Sequence, residues 1–194
     1  MRLTFRLTAL ALTAVLASCG GGGSNVSAVK VAGDSLADAG TFGFKFTVQG
    51  ASLTQTRIWA DHVADAADVA PLCPRYAATG PNTVAPNPSA TGCTSYAVGG
   101  ARINVAGSAG DATPFSVLQQ LRDLGTQPYA EQDVLLVDGG GNDAADLIGA
   151  YLGANTDGGA AYVALLGELL SSAQVAPASG GGAQGAAVAE QIAT

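Results

Sequence analysis

The chain has 194 residues, 48% of them hydrophobic and 12% charged, with a formal net charge of -7 and a sequence pI of about 4.3. That length suits one domain able to bury most of what its unfolded chain exposes, and the acidic balance offers no electrostatic footprint for nucleic acid or for anionic lipid head groups. With 27 glycines and many alanines the core must come largely from small side chains, as in a globular but loop-rich protein.

The first residues read as an address. Arg2 and Arg6 form a positive start, and residues 7–16 form an apolar stretch of signal-peptide length that is too short to span a bilayer. Leu16-Ala17-Ser18-Cys19 resembles the bacterial lipobox, whose cysteine is lipidated and becomes the first mature residue, and residues 20–24 then make a flexible tether. The alternative is an ordinary Cys19 beside a conventional cleavage site. The expected organisation is a lipoprotein signal peptide at 1–18, a lipidated Cys19 with its tether at 19–27, and one domain at 28–194. Loss of Arg2 and Arg6 leaves six basic against fifteen acidic residues, a mature charge of -9. By the same resemblance, the lack of Asp after Cys19 points to the outer membrane. The chain is thus expected to be exported and anchored in the cell envelope, with the membrane as its partner through Cys19.

Residues 28–33 read as a first strand that ends at Gly33-Asp34-Ser35-Leu36, which sets one serine on a turn. A serine hydroxyl becomes a useful nucleophile when such a turn holds it beside a base and facing donors for a developing oxyanion. The bland reading is a helix N-cap. Phe42, Phe44 and Phe46 alternate within 41–56, a segment expected to line an entrance and to favour an acyl group, although an edge strand explains the alternation equally well. Residues 57–69 predict a helix with Ile58, Trp59, His62, Val63, Ala66 and Ala67 along its inner side, which makes His62 a partly buried packing histidine.

Cys73 and Cys93 bracket a loop rich in Pro, Asn, Thr and Gly that has no apolar period. With Cys19 given to lipid they are an even pair in an exported chain, expected to form a disulfide worth about 3 kcal/mol. Two free thiols are the alternative. Residues 93–101 predict a strand running into a glycine turn, and 114–124 a helix with Leu118, Leu121 and Leu124 inward and Gly125 ending it. A strand over 133–138 leads into Gly139-Gly140-Gly141, helices follow over 144–152 and 160–175, and 177–185 breaks the chain before a last short helical start. The alternation favours a parallel sheet covered by helices. Only three strands are clear, against a usual four to six, so the sequence reads as if it stops partway through a domain. A phosphate-cradling role for the glycine turn would need a Lys-Ser/Thr that is absent, and no metal-ligand spacing appears, so no cofactor or metal is expected.

Three blocks in order carry the chemistry: Gly33-Asp34-Ser35-Leu36-Ala37-Asp38-Ala39-Gly40, then Ser95-Tyr96-Ala97-Val98-Gly99-Gly100-Ala101-Arg102, then Gly139-Gly140-Gly141-Asn142-Asp143. Together they resemble the GDSL, or SGNH, hydrolase family over about residues 28–150, and most of all its bacterial exported esterases and lipases. The resemblance implies a three-layer α/β/α sandwich with a parallel sheet, the flavodoxin-like SGNH fold, here incomplete at its C-terminus. It implies an esterase or lipase working through an acyl-serine intermediate on a small-molecule or lipid ester, with lipids, acyl thioesters and acetylated sugars all within its range. By the same resemblance Ser35 is the nucleophile, and its N–H, the Gly100 N–H and the Asn142 side chain are the oxyanion donors. Asp34 and Asp143 are expected to tie the turns together rather than react.

The family's fourth element, an Asp-x-x-His whose histidine activates the serine, has no counterpart in this chain, whose one histidine is His62. Loss of a triad member costs serine hydrolases about 10⁴–10⁶ in rate, so the chain as written is expected to be weakly active or inactive. Three explanations compete: a fragment of an active esterase, a lipid-anchored pseudoenzyme that binds an ester or glycan without turning it over, or a base supplied from elsewhere, in trans or by His62.

Overall fold

The computed structural model describes residues 25–103, 105 and 112–179. The lipobox, most of the tether and the last predicted helical start therefore lie outside the described residues. The first strand, β1 (Val29–Ala32), is buried at every position, as a central strand of a parallel sheet must be. It pairs in parallel with β4 (Val134–Val137), in a register that sets Val29 opposite Val134 and Ala32 opposite Val137.

The predicted strand at 93–101 is an extended segment that pairs on both sides without forming a long ladder. The Val31 N–H donates to the Thr94 carbonyl (3.0 Å), Tyr96 N–H to Val31 (2.7 Å) and Val98 N–H to Gly33 (3.0 Å). On its other side Arg75 N–H reaches the Ser95 carbonyl (2.7 Å) and Ser95 N–H the Cys73 carbonyl (3.2 Å). The order across the sheet is thus 73–75, 94–98, β1, β4.

Helices cover both faces. Below β1, α1 (Trp59–Ala66) packs Ala60 and Ala64 against Val29, Val31 and Ile58. On the opposite face α2 (Val117–Gly125) brings Val117 and Leu124 to Ala32, Tyr76, Tyr96 and Val98. Helix, sheet and helix make the three layers expected of an α/β sandwich.

Several predicted details are corrected. The inner face of α1 is Ala60, Asp61 and Ala64, while Trp59 and His62 face solvent. The reason is a buried ion pair: Asp61 takes Lys45 Nζ at 2.6 Å and also accepts the Ile58 N–H at 2.8 Å, which rotates the helix toward its carboxylate and its small alanines. His62 is therefore not a packing histidine. In α2 the inward line is Val117, Gln120 and Leu124, with Leu118 and Leu121 half-buried, because the Gln120 amide has backbone partners across the core. Helix α2 starts at Val117, where the Ser116 side chain accepts the Gln119 N–H, and it includes Gly125.

The loop without apolar period contains a hairpin, β2 (Tyr76–Gly80) and β3 (Thr83–Pro86), turned by Pro81 and Asn82. Its anchor is Tyr76, buried edge-on to Tyr96 with its hydroxyl donating to Asp123 of α2 at 2.5 Å. Cys73 and Cys93 are joined in a disulfide beneath it, with Cα atoms 5.0 Å apart.

The Phe42–Phe46 segment is neither strand nor helix but a run of turns. After β4 the chain forms α3 (Gly141–Asp157), α4 (Ala160–Leu169) and α5 (Ser172–Ser179), with Pro177 inside α5 rather than breaking before it. Helix α3 buries none of its residues and meets α4 through Tyr151 and Tyr162. Leu135 and Val137 of β4, on the α2 face, stay 42% and 53% exposed, so among the described residues α2 covers β1 and the 94–98 segment but leaves β4 open. No helix among them is long and apolar enough to cross a membrane.

Candidate active site

The three glycine-bearing blocks all leave the C-terminal ends of parallel strands, where α/β sheets place their ligands. Block one follows β1, block two follows the 94–98 segment, and block three follows β4. Gly33 must be small: a Cβ there would stand 3.0 Å from the Asp138 carbonyl and 3.2 Å from the Ala37 Cβ. The following Asp34 is buried and accepts the Leu36 N–H at 2.9 Å, which folds the chain tightly around Ser35 and leaves that serine half-exposed.

Gln120 clamps the start of this turn. Its amide oxygen accepts the Gly33 N–H (2.7 Å) and its amide nitrogen donates to the carbonyls of Gly33 (3.0 Å) and Pro114 (2.9 Å). Asp38, fully buried, is the second anchor. It accepts the N–H groups of Gly40 (2.8 Å) and Thr41 (2.7 Å) within block one and that of Gly99 (2.7 Å) in block two. Burial raises the Asp38 carboxyl against the lowering effect of those donors. Gly100 adopts φ +81°, the left-handed region open to glycine, and its N–H has no acceptor among the described residues.

Blocks two and three are laced together. Asn142 and Asp143 lie in the first turn of α3, which begins as soon as Gly140 (φ +95°) has turned the chain. The Asn142 amide donates to the Ala101 carbonyl at 2.8 Å, Asp143 accepts the Ile103 N–H at 2.9 Å, and Arg102 forks onto Asp146 at 2.5 and 2.9 Å. Arg102 also donates to the Gly100 carbonyl at 2.6 Å, which fixes the peptide next to the Gly100 N–H. The Asp146 carboxyl is held below its ordinary range by Arg102. Beside Gly33, Asp138 has one carboxylate oxygen buried without a partner among the described residues; desolvation first, and then neighbouring Asp34, raise this carboxyl above the ordinary range.

The structure thus brings Ser35, Gly100 and Asn142, with Asp34 and Asp143, to one end of the sheet. His62 is not brought there; it stands exposed on α1, on the face of the sheet opposite α2. Gln120, Asp38 and the Arg102–Asp146 pair were not singled out by sequence reasoning. Gln120 carried a signal, since it stands three and four residues from Val117 and Leu124 on an otherwise apolar line. Asp38 lay inside the first block without a role, and Arg102 and Asp146 are too far apart in sequence to be paired by inspection.

A parallel sheet between helices, with three glycine turns gathered around one serine at its C-terminal edge, defines the SGNH type of α/β fold. The family model of the GDSL-like lipases and acylhydrolases matches residues 29–174, and the chain belongs to that family of ester hydrolases. No curated protein and no solved structure matches it.

Proposed function

We propose that this protein cleaves carboxylic esters by a two-step acyl-serine route. Ser35 attacks the ester carbonyl, its hydroxyl proton passes to a base, and the alcohol leaves on protonation. The negative charge of the tetrahedral intermediate is taken up by the Ser35 and Gly100 N–H groups and by the remaining amide hydrogen of Asn142. Water then attacks the acyl-serine and releases the acid. The observation that supports this reading is the lacing of the three blocks: Val98 to Gly33, Gly99 to Asp38 and Asn142 to Ala101 hold a serine, a glycine N–H unpaired among the described residues and an amide in one rigid frame. Removing one preorganised donor of this kind costs about 2.7–4 kcal/mol in a studied serine hydrolase.

The base in this proposal comes from polypeptide outside the described residues, and the exposure of Leu135 and Val137 on the α2 face supports further packing over β4. Chemical rescue tests both points. A short-chain aryl ester is assayed with the wild-type chain and Ser35→Ala, each with and without tens of millimolar imidazole. Turnover that rises with imidazole only in the wild type is expected; equal rates in the two proteins would refute Ser35 as nucleophile. Retention of an ester or glycan ligand without turnover, unchanged in Ser35→Ala, would instead favour the non-catalytic reading. Export with a lipid on Cys19 belongs to the same proposal, supported by the sequence at 16–19. The mass of the mature protein and its loss of membrane association in Cys19→Ala test it.

A further inference from the structure

Beside Gly100 opens a cleft of about 570 Å³ whose walls are Phe42, Phe44, Phe46 and Phe115, with Gly99 and Gly100 as its floor. We propose that this cleft receives the apolar chain or ring of the ester, so that the protein selects esters bearing a large apolar group over acetyl esters and acylated sugars; this rests on the esterase reading above.

Three observations converge on it. The phenylalanines come from two separate segments, and the three of the 42–46 turn stack in tilted and edge-on pairs with centroids 4.7 to 6.4 Å apart. Yet Phe44 and Phe46 remain 45% and 39% exposed, so their faces line an open cleft rather than a filled core. A protein holding this much aromatic surface in water at one place is presenting it to an apolar group.

Gly99 is the second observation. A Cβ at 99 would stand 2.0 Å from the Phe46 Cε2, so the ring lies directly on the backbone one residue from the oxyanion donor Gly100. The apolar wall and the donor are thereby built from adjacent residues, and an ester whose carbonyl oxygen sits at the Gly100 N–H has its substituent led to Phe46.

Charge is the third. The single ionised side chain among the described lining residues is Arg102, and Asp146 neutralises it through a two-pronged pair while its remaining reach goes to the Gly100 carbonyl. Among the described residues no carboxylate lines the cleft, and Asn82 is the one side-chain amide. A sugar needs several such partners for its hydroxyls, whereas an alkyl or aryl group needs none.

Binding of unreactive amide isosteres separates this from the catalytic reading. The full chain is titrated by NMR with N-methylacetamide and N-methylhexanamide, which vary the acyl side, and with N-hexylacetamide, which varies the alcohol side. Each methylene buried tightens binding about fourfold, so with about two to three of its added methylenes in the open cleft one six-carbon probe is expected to bind ~10-fold to ~100-fold more tightly than the short probe. Which probe gains identifies the side of the ester that enters. Phe44→Ala and Phe46→Leu are expected to cut that preference to within about threefold, and Ser35→Ala to leave it intact. Equal binding of all three probes, or a preference that survives both phenylalanine substitutions in variants with wild-type circular dichroism, overturns the assignment. Chain-length preference in binding without Ser35-dependent hydrolysis in the presence of imidazole would sink the esterase reading and keep the cleft; imidazole-rescued, Ser35-dependent hydrolysis indifferent to chain length would do the reverse.

Discussion

Replacing Gln120 by Met tests whether one buried amide positions the serine turn. Met keeps the length and approximate shape of Gln but removes three hydrogen bonds. The Gly33 carbonyl keeps a partner in the Val98 N–H at 3.0 Å, whereas the Gly33 N–H and the Pro114 carbonyl lose the one described partner each has. An orphaned buried donor costs about 1–3 kcal/mol; Pro114 is half-buried, so water recovers part of its loss, and the thioether returns roughly 1 kcal/mol of apolar burial. The net expectation is a loss of about 2 kcal/mol. In a urea titration, with slopes of about 1–3 kcal/mol per molar, this lowers the midpoint by roughly 1 M at constant slope. Gln120→Glu sharpens the test. An ionised carboxylate at this position would accept the Gly33 N–H but face two carbonyls without a proton to offer, so its folded pKa rises above the unfolded value and its destabilisation grows as pH rises from about 4 upward. A midpoint shift under ~0.2 M for Met, or a pH-independent effect for Glu, would refute the clamp.

Asp61→Leu strands Lys45, whose charge is 5% exposed, and is expected to cost about 3–5 kcal/mol in the same unfolding assay, while replacing Lys45 and Asp61 together by Met and Leu should recover most of it. Reduction of the Cys73–Cys93 disulfide, which closes a loop of 20 residues' separation, should lower stability by about 3 kcal/mol; thermal unfolding with and without reductant reads this, and Cys73→Ser with Cys93→Ser should match the reduced protein. Asp138→Asn has the opposite sign. The raised Asp138 carboxyl binds its proton more tightly folded than unfolded, so it detracts from stability as pH rises above the unfolded value. The variant should therefore be more stable than wild type near pH 7 and lose that advantage toward pH 3; equal stability across this range would show that neighbours already satisfy the charge.

Order along the chain carried much of the reading. The strand before Gly33, the strand before the Gly139 turn, the helix after Pro114, the cysteine pair and the three blocks were legible because each rests on local pattern: a short apolar run, a cap, a glycine where a turn is required. Rotation of the helices was not. Apolar spacing turned α1 toward Trp59 and His62, and the buried Lys45–Asp61 pair turned it the other way, since satisfying a desolvated carboxylate outweighs exposing one indole. The hairpin at Tyr76–Gly80 and Thr83–Pro86 escaped notice because its stability comes from Tyr76 docking between Tyr96 and Asp123, contacts 20 and 47 residues away in sequence.

The sequence by itself determined which turns exist and that a serine stands on the first of them, because glycine, proline and short apolar runs act on their immediate neighbours. Tertiary structure alone decided how those turns face one another. Asp38 reaches Gly99, Gln120 reaches Gly33 and Arg102 reaches Asp146 only once strands and helices have packed, and a hydrogen bond between residues 44 to 87 positions apart leaves no periodic mark on the chain. The same holds for the cleft beside Gly100: three alternating phenylalanines suit an edge strand or an entrance equally, until the Phe46 ring is found lying on the bare backbone of Gly99.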